Sequence, residues 1–324
     1  MEGWHNMNHN SEKTHGIRNV RSVAVQAVPI VILAVIVVFF EIISDGKLLT
    51  SRNMKAIFNN MFSIAIGAAG VSFLMAQGNL DFSLGGIAGL SAAVSGIVAV
   101  QSPILSVFAG ILVGCACGWL NGFIHAKLHV ASIITTLSTA YIFRGIQCTL
   151  LDTRAVGLPA SMMWLENRNL KLVIMIVILA ICGVVYTNFR FGKQCKAIGS
   201  RAEAAHQSGI FVDRIRIAAF VVAGGFAGIV GFFFLVRAAS VSANTGSGFE
   251  FNVLLAMLLG GVSISGGTST RYRGVIIGSL IMAVLSNGMT LWNLDVTTQQ
   301  LIRGLIFLFA VTSSFDRKNL AVIK

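Results

Sequence analysis

Ten apolar runs, separated by short polar stretches, constrain this chain more than any other feature of its sequence. Most of them approach the roughly 20 residues that a helix needs to cross a hydrocarbon core about 30 Å thick. The runs lie near 23–43, 56–77, 83–101, 103–125, 131–150, 170–187, 217–236, 251–265, 274–292 and 298–315. Because a helix satisfies its own backbone hydrogen bonds in lipid, the pattern predicts an all-α, polytopic transmembrane helical bundle of about ten spans.

Composition supports a chain whose main solvent is lipid. Hydrophobic residues make up 55% of the 324 residues and charged residues only 11%, whereas a soluble domain has about 25% charged residues. The two weakest predicted spans are 83–101, which is rich in glycine and serine, and 251–265, which is too short to cross alone. We expect the latter to continue as broken helix through the glycines that follow it.

The net charge of +12 is spread between the apolar runs instead of forming one basic and aromatic patch, so nucleic acid is not predicted as a partner. With the N-terminus inside, fifteen Lys and Arg residues fall in inside segments and seven in outside segments. Because short cytoplasmic loops retain positive charge, both termini are predicted to be cytoplasmic. We therefore expect a cytoplasmic tail at 1–22, without a signal-peptide cleavage site, a membrane domain at 23–315 and a second tail at 316–324.

Neither a catalytic nor a metal-binding constellation is evident. The motifs G-x-x-x-x-G-K-[ST], H-E-x-x-H and G-x-S-x-G do not occur, so the chain is not expected to be an enzyme or to hydrolyse ATP itself. The five cysteines lie mostly in apolar runs, as small buried hydrophobes do. His125 and His129 are spaced for one helix face but have no third ligand nearby, so no metal site is predicted.

The polar stretch 188–216 carries six positive charges on the predicted cytoplasmic side. Ser200 and Glu203 resemble a capping pair at the start of a short helix, and Gly209 is suited to end it. Three alanines between them, if exposed, would let this helix seat in a groove of another protein. These are Ala202, Ala204 and Ala205. A solvated basic loop is an equally supported interpretation from charge alone.

Two glycine- and serine-rich segments interrupt the apolar pattern. In GNLDFSLGG at 78–86, irregular backbone at membrane depth requires packing against protein or a water-filled cavity. Asp81 there either lines or gates a polar path, or caps the third helix through its free N–H groups, and both roles are compatible. GGVSISGGTSTRYRG at 260–274 has a similar alternation in the other half of the chain, which makes an inverted repeat plausible.

Further local features concern packing within the membrane. Arg144 and Arg303 lie in apolar runs, so each must snorkel or find partners such as Asp152, Asp295 or backbone carbonyls; for Arg303, snorkelling is the simpler account. Glycine recurs at every fourth position of the fourth run, which allows a neighbouring helix to approach closely. Packing inside the subunit is favoured over a dimer seam for this stripe, which comprises Gly110, Gly114, Gly118 and Gly122.

With these segments identified, the chain resembles the ribose-type family of ABC sugar-importer permeases, in the branched-chain amino acid/ribose permease superfamily, over most of residues 50–315. Five segments carry the resemblance in the family's order, and the first is similar to the family's Gly-Ile-Asp-Leu-Ser-Val-Gly segment. They are GNLDFSLGG at 78–86, ASIITTLSTAYIFRG at 131–145, RFGKQCKAIGSRAEAAHQSGI at 190–210, GGVSISGG at 260–267 and QQLIRGLIFLFAV at 299–311. The chain departs from the family in TSTRYR at 268–273 and in Asn79, where an aliphatic residue is common.

The resemblance implies a coupling helix, docking on an ATPase subunit, within the segment from Gly199 to Ile210. The candidate coupling residues are Gly199, Arg201, Glu203, Ala204, Ala205, Ser208, Gly209 and Ile210. The candidate translocation-path or gate residues are Asn79, Asp81, Ser83, Thr135, Thr136, Gly260, Gly261, Ser263 and Ser265.

The resemblance further implies import of a ribose-like monosaccharide across the bacterial inner membrane. The implied partners are an ATPase pair that holds ATP and Mg²⁺, a solute-binding protein outside, and a second permease subunit in a homodimer or heterodimer; no cofactor is expected in this chain. An ion-coupled secondary transporter of a small polar solute is the alternative. It would place coupling carboxylates at mid-membrane, where Asp81 and Glu41 come closest. Pentoses, hexoses, deoxysugars and autoinducer-like ligands all fit the pattern.

Overall fold

A computed structural model describes residues 27–152, 155–268 and 270–314, so both predicted tails, 1–22 and 316–324, lie outside the described residues. Within these ranges the chain forms twelve α-helices. They are α1 (Ala27–Ile43), α2 (Ser51–Ala76), α3 (Leu84–Ala99), α4 (Pro103–Lys127), α5 (Ser132–Leu151), α6 (Arg168–Asn188), α7 (Arg190–Ser200), α8 (Ala202–Gln207), α9 (Val212–Ala238), α10 (Phe249–Leu259), α11 (Arg273–Leu291) and α12 (Val296–Ser314). A 3-10 helix (Ala160–Glu166) and two antiparallel strands, β1 (Val156–Gly157) and β2 (Ser240–Val241), complete the fold.

The prediction of a polytopic helical membrane protein is confirmed, since each of the ten apolar runs contains a helix. In the part of the chain described, α2, α4, α6, α9 and α11 are long and apolar enough to cross a membrane. Helix α10 has 11 residues and so measures about 16 Å at 1.5 Å per residue. The expectation that this segment cannot cross alone is therefore correct. The number of spans and the orientation of the termini remain predictions.

Helix α9 lies at the centre of the bundle and packs against α2, α3 and α4. The glycine stripe of α4 faces it, and small residues of α9 face back. A Cβ atom added at Gly114 would lie 2.2 Å from the carbonyl oxygen of Gly224, and one added at Gly118 would lie 2.2 Å from that of Phe220. Backbone contact this close needs glycine on α4, and Gly224 and Gly228 are the glycines that face it on α9. Packing of the stripe inside the subunit is thus confirmed.

The bundle has two distinguishable ends. Helices α2, α4 and α6 end, and α9 and α11 begin, on the side that carries α8; an ion pair of 2.9 Å between Lys127 and Asp213 joins the end of α4 to the start of α9 there. We call this side the α8 end. The opposite end carries the α1–α2 turn, the β-strands and the irregular segment 239–248. The charge distribution predicts that the α8 end is cytoplasmic.

Candidate coupling and translocation sites

Helix α8 is the short helix expected within the polar stretch. The prediction of a Ser200–Glu203 capping pair is wrong, because the Ser200 hydroxyl donates to the Lys196 carbonyl (3.1 Å) and so belongs to α7, while Arg201 occupies the N-cap position without a side-chain cap. The predicted stop at Gly209 is confirmed. Gly209 has a φ of +84°, and its N–H donates to the His206 carbonyl at 2.9 Å. A left-handed glycine is the usual end of a helix.

One face of α8 is open to solvent and the other rests on the bundle. Glu203 and Ala204 are exposed, as are Arg201, Ser208 and Gly209 next to the helix, whereas Ala205 is only 5% exposed. Exposure of all three alanines was expected, and for Ala205 that expectation is wrong, because a surface helix must bury one face. The exposed face still presents a carboxylate and a small residue to a partner.

Helix α7 connects α8 to both glycine-rich breaks through backbone contacts. A Cβ atom added at Gly199 would lie 2.0 Å from the Ala76 carbonyl oxygen and 2.6 Å from the Gly267 nitrogen. The Gly267 N–H donates to that same carbonyl at 2.9 Å. The end of α2, the end of α7 and the second break therefore meet at one point. We call Ala76, Gly199 and Gly267 the glycine junction.

Side chains next to the glycine junction are buried and paired. The Gln77 amide donates to the Cys195 sulfur (3.2 Å), and the Tyr186 hydroxyl donates to Thr270 Oγ1 (2.6 Å). Burial raises the pKa of the Cys195 thiol to about 12, so the thiol is neutral near pH 7 and acts as a packing group. The Lys196 ammonium lies 4.2 Å from the centre of the Tyr186 ring. These contacts fix α7 against α6 and the second break.

The first break is a sealed polar turn. Asp81 is 0% exposed, and its Oδ1 accepts both the N–H (2.8 Å) and the hydroxyl (2.6 Å) of Ser83. The Ser83 oxygen in turn accepts the Asn121 amide at 2.7 Å. Asp81 Oδ2 is buried with no hydrogen-bond partner among the described residues. Asp81 therefore binds the N–H of Ser83, the residue just before α3, and holds the turn there instead of capping an N–H inside the helix.

The other candidate path residues surround this turn or lie at the second break. Thr136 Oγ1 accepts the Phe82 N–H at 3.1 Å and donates to the Ser132 carbonyl, which ties the turn to α5. Asn79, Thr135 and Gly260 are buried, Ser263 is half-buried, and Gly261 and Ser265 are exposed. The structure brings the two breaks together, since a Cβ added at Gly78 would lie 3.2 Å from the Ser265 carbonyl oxygen. None of these candidates lines either cavity described next.

Two adjoining cavities lie around the start of α10, beside Phe82 of the first break and next to α5 and α12. The smaller, about 320 Å³, is here named the aromatic cavity and is lined by Phe82, Leu137, Ala140, Tyr141, Arg144, Ser247, Gly248, Glu250, Phe251, Gln300, Arg303 and Gly304. The larger, about 540 Å³, is named the polar cavity and is lined by Asn60, Ser63, Ile64, Phe234, Arg237, Ala238, Asn244, Thr245, Gly246, Ser247, Phe249, Asn252, Ser286, Thr290, Gln299 and Arg303. Ser247 and Arg303 line both, so the two cavities adjoin at these residues.

An ion pair crosses the aromatic cavity wall. Arg144 Nη2 donates to Glu250 Oε1 at 3.0 Å, and Arg144 Nη1 donates to the Ser247 hydroxyl at 3.3 Å. Arg303 donates to Gln299 Oε1 at 3.0 Å and to Ser286 at 3.5 Å. The sequence left two alternatives for these arginines, snorkelling or interior partners such as Asp152, Asp295 or backbone carbonyls. Arg144 pairs with Glu250, whereas Arg303, for which snorkelling was the simpler account, bonds to Gln299 and Ser286.

Glu250 is the functional candidate that the sequence-based reasoning missed. It is 7% exposed and is the second residue of α10, just after the glycine-rich segment that contains Gly246 and Gly248. A signal was present, because Glu250, like Asp81, is a carboxylate that follows glycines at a break between apolar helices. In the described part of the chain, no group of three His, Cys, Asp or Glu side chains is placed to hold a metal ion.

Comparison with known proteins identifies the family and relatives that this chain resembles. Residues 53–311 match the family model described as branched-chain amino acid transport system / permease component. The chain is 33% identical over 276 residues to the L-arabinose transport system permease protein AraH of Escherichia coli K12, covering 83% of each chain. It is 30% identical over 287 residues to the autoinducer 2 import system permease protein LsrC of Photorhabdus laumondii, covering 85% of this chain and 86% of that one. No solved structure gives a significant match.

Proposed function

This chain belongs to the branched-chain amino acid transport system / permease component family, and on that premise we propose that it is the membrane permease subunit of an ATP-driven importer for a sugar or sugar-like solute. As a permease component it is a non-catalytic subunit, so ATP and Mg²⁺ belong to a partner ATPase. The relatives named for arabinose and autoinducer 2 import support a sugar-type cargo. A ribose-like monosaccharide is the finer proposal.

The observation that carries the coupling role is the placement of α8. Its exposed face, with Glu203 and Ala204, lies at the α8 end between α7 and α9. Through Gly199 the same segment contacts the end of α2 and the second break in backbone-to-backbone fashion. A partner that pushes on α8 therefore acts on both breaks together. This supports docking of the ATPase on Gly199 to Ile210, with Arg201, Glu203 and Ala204 on the contact surface.

The proposed assembly follows from this role. Two permease subunits, identical or not, sit in the bacterial inner membrane with both termini in the cytoplasm. An ATPase pair binds at the α8 end, and a solute-binding protein delivers cargo at the opposite end. Within the subunit, the sealed turn at Asp81 and the break at Gly260 are the proposed gate elements, and they are close enough to the glycine junction to respond to α8.

Charge reversal on α8 tests the proposal. Glu203→Arg should leave the protein inserted but abolish co-purification with the ATPase and ATP-driven uptake, because the exposed carboxylate lies on the docking face. Lys193→Glu, an exposed charge reversal on α7, is the matched control and should retain most of both activities. Unaltered ATPase association of Glu203→Arg would refute the coupling role.

A second function, ion-coupled transport, is tested with vesicles that lack the ATPase. The buried carboxylates Asp81 and Glu250 are the groups such a mechanism could use. Vesicles that contain this chain without an ATPase should not accumulate sugar in a proton or sodium gradient. Accumulation under those conditions would favour the secondary transporter and rule out obligatory ATP coupling.

A further inference from the structure

The lining of the polar cavity has a distinct chemistry. Its polar side chains comprise five hydroxyls, four carboxamides and two guanidinium groups, and no carboxylate is found among the described residues that line it. Hydroxyls and carboxamides both donate and accept hydrogen bonds, as the hydroxyl groups of a solute also do. A volume of about 540 Å³ falls within the roughly 300–1,000 Å³ of small-molecule sites.

Neither guanidinium group has an acid of its own among the described residues: Glu166 is near enough to interact with Arg237 but is already paired with Lys171. Arg237 donates to the Asn60 carboxamide at 2.9 Å, and Arg303 donates to that of Gln299 at 3.0 Å. Among the described residues neither arginine forms an ion pair. Because neutral partners do not cancel the charge, the polar cavity has a positive potential, which is strong where water is partly excluded.

The adjoining aromatic cavity offers complementary groups. Phe82 and Phe251 form an edge-to-face pair at 6.0 Å between ring centres, and the Arg144–Glu250 pair lies beside them. Ser247 and Arg303 belong to both cavities. A ring solute with hydroxyl groups has an apolar face that can rest on aromatic rings and a polar rim that can bond to the polar cavity.

We propose that the two cavities form one binding site for a polyhydroxylated ring solute that is neutral or anionic, and that Arg237 and Arg303 exclude solutes carrying an ammonium group. The proposal rests on the proposed import function for its cargo class. An amino acid fits less well, because its ammonium group requires an acidic partner. Glu250 is the one carboxylate among the described residues lining either cavity, and Arg144 already holds it.

Protection of a cysteine in the site tests this selectivity. Ser247→Cys places a thiol where the cavities meet, and Thr290→Cys, at an exposed position of the polar cavity, is a second reporter if the first variant does not fold. The full-length chain in membrane vesicles is labelled with N-ethylmaleimide, and each site is read by peptide mass spectrometry. The native Cys148, exposed on α5 outside both cavities, is the internal control.

The probes are glucose, gluconate, N-acetylglucosamine and glucosamine, compared at mildly acidic pH where the free amine is protonated. Glucose, gluconate and N-acetylglucosamine should slow labelling of the reporter and leave Cys148 unaffected. Glucosamine should need about tenfold higher concentration, which corresponds to about 1.4 kcal/mol. In Arg303→Gln, or in Arg237→Gln if that variant does not fold, the gap between glucose and glucosamine should close.

Three results would overturn the inference: no protection by any sugar, equal protection by glucose and glucosamine, or an unchanged gap in the arginine variants. ATP-driven uptake by the complete transporter is measured separately. Loss of uptake with intact protection would contradict the proposed function and not the site, whereas normal uptake without protection would contradict the site alone.

Discussion

Asp81-Phe82-Ser83 and Glu250-Phe251-Asn252 occupy equivalent places in the two halves of the chain and have opposite surroundings. Each follows a long helix, α2 or α9, and an irregular segment, and each precedes or begins a shorter helix, α3 or α10. Asp81 is sealed among neutral partners and lines neither cavity, although its neighbour Phe82 does, whereas Glu250 pairs with Arg144 on a cavity wall. Irregular backbone at membrane depth is tolerated in either setting, and neighbouring side chains decide which one applies.

The similarity between the Asp81 and Glu250 segments also changes which segments correspond in the inverted repeat expected from the sequence. The segment 260–274 was expected to correspond to 78–86, but the two lie in contact at the same end of the bundle. An inverted repeat places corresponding elements at opposite ends. The segment 239–248 enters from the other end, next to β2, and leads to Glu250, which meets Gly85 of the first break inside the bundle. This segment is therefore the better counterpart.

The largest expected effect comes from filling the contact between α3 and the start of α10. A Cβ atom at Gly85 would lie 1.9 Å from Glu250 Oε2 and 2.4 Å from the Gly246 carbonyl oxygen. Gly85→Ala should therefore destabilise the protein by about 3 kcal/mol or more, measured by unfolding in mixed detergent micelles.

Gly145→Ala is the matched control for Gly85→Ala, because nothing lies within 4 Å of the added atom on the exposed face of α5. It should stabilise the helix by about 0.5–1 kcal/mol. Equal stabilities for the two variants would mean that the segment 239–248 does not pack on α3 as described.

The second-largest effect is expected from loss of the Arg144–Glu250 ion pair on the wall of the aromatic cavity. Glu250→Ala leaves the Arg144 guanidinium without its acid, and removal of one partner from a fully buried pair costs about 3–5 kcal/mol. The side chain of Arg144 is 33% exposed, so water compensates part of the loss and we expect about 2 kcal/mol.

Glu250→Gln retains a hydrogen-bond acceptor and should lose less stability than Glu250→Ala in the same micelle titration. If both variants unfold at the wild-type detergent concentration, the pair does not hold α10 against α5.

The smallest effect on stability is expected from substitution of Asp81 in the first break. Asp81→Ala removes two hydrogen bonds from Ser83 but also removes a buried oxygen without a partner. The opposing contributions should leave a net loss of about 1 kcal/mol together with impaired uptake.

Asp81→Asn keeps the oxygen that accepts from Ser83 and should retain near-wild-type stability. Normal uptake by Asp81→Ala would show that Asp81 is not a gate residue. A loss of stability larger than that of Glu250→Ala would reverse the expected ranking of the two carboxylates.

The sequence predicted the helices well and the site only in part. Long apolar runs, the glycine stripe beginning at Gly110 and the stop at Gly209 are local signals, and all three appear in the structure. The partner of Arg144 could not be predicted, because Glu250 is 106 residues away and only the packing of α3, α5 and α10 brings it near. Whether Asp81 or Glu250 faces a cavity likewise depends on tertiary contacts.

The glycine junction has a mechanical consequence. Side chains can absorb a small displacement by changing rotamer, whereas backbone atoms already in contact have no such freedom. Gly199 touches Ala76 and Gly267 through backbone alone. A displacement of Gly199, at the end of α7, would therefore press directly on the backbone of α2 and of the second break. The connection is stiff because no flexible side chain lies between these backbones.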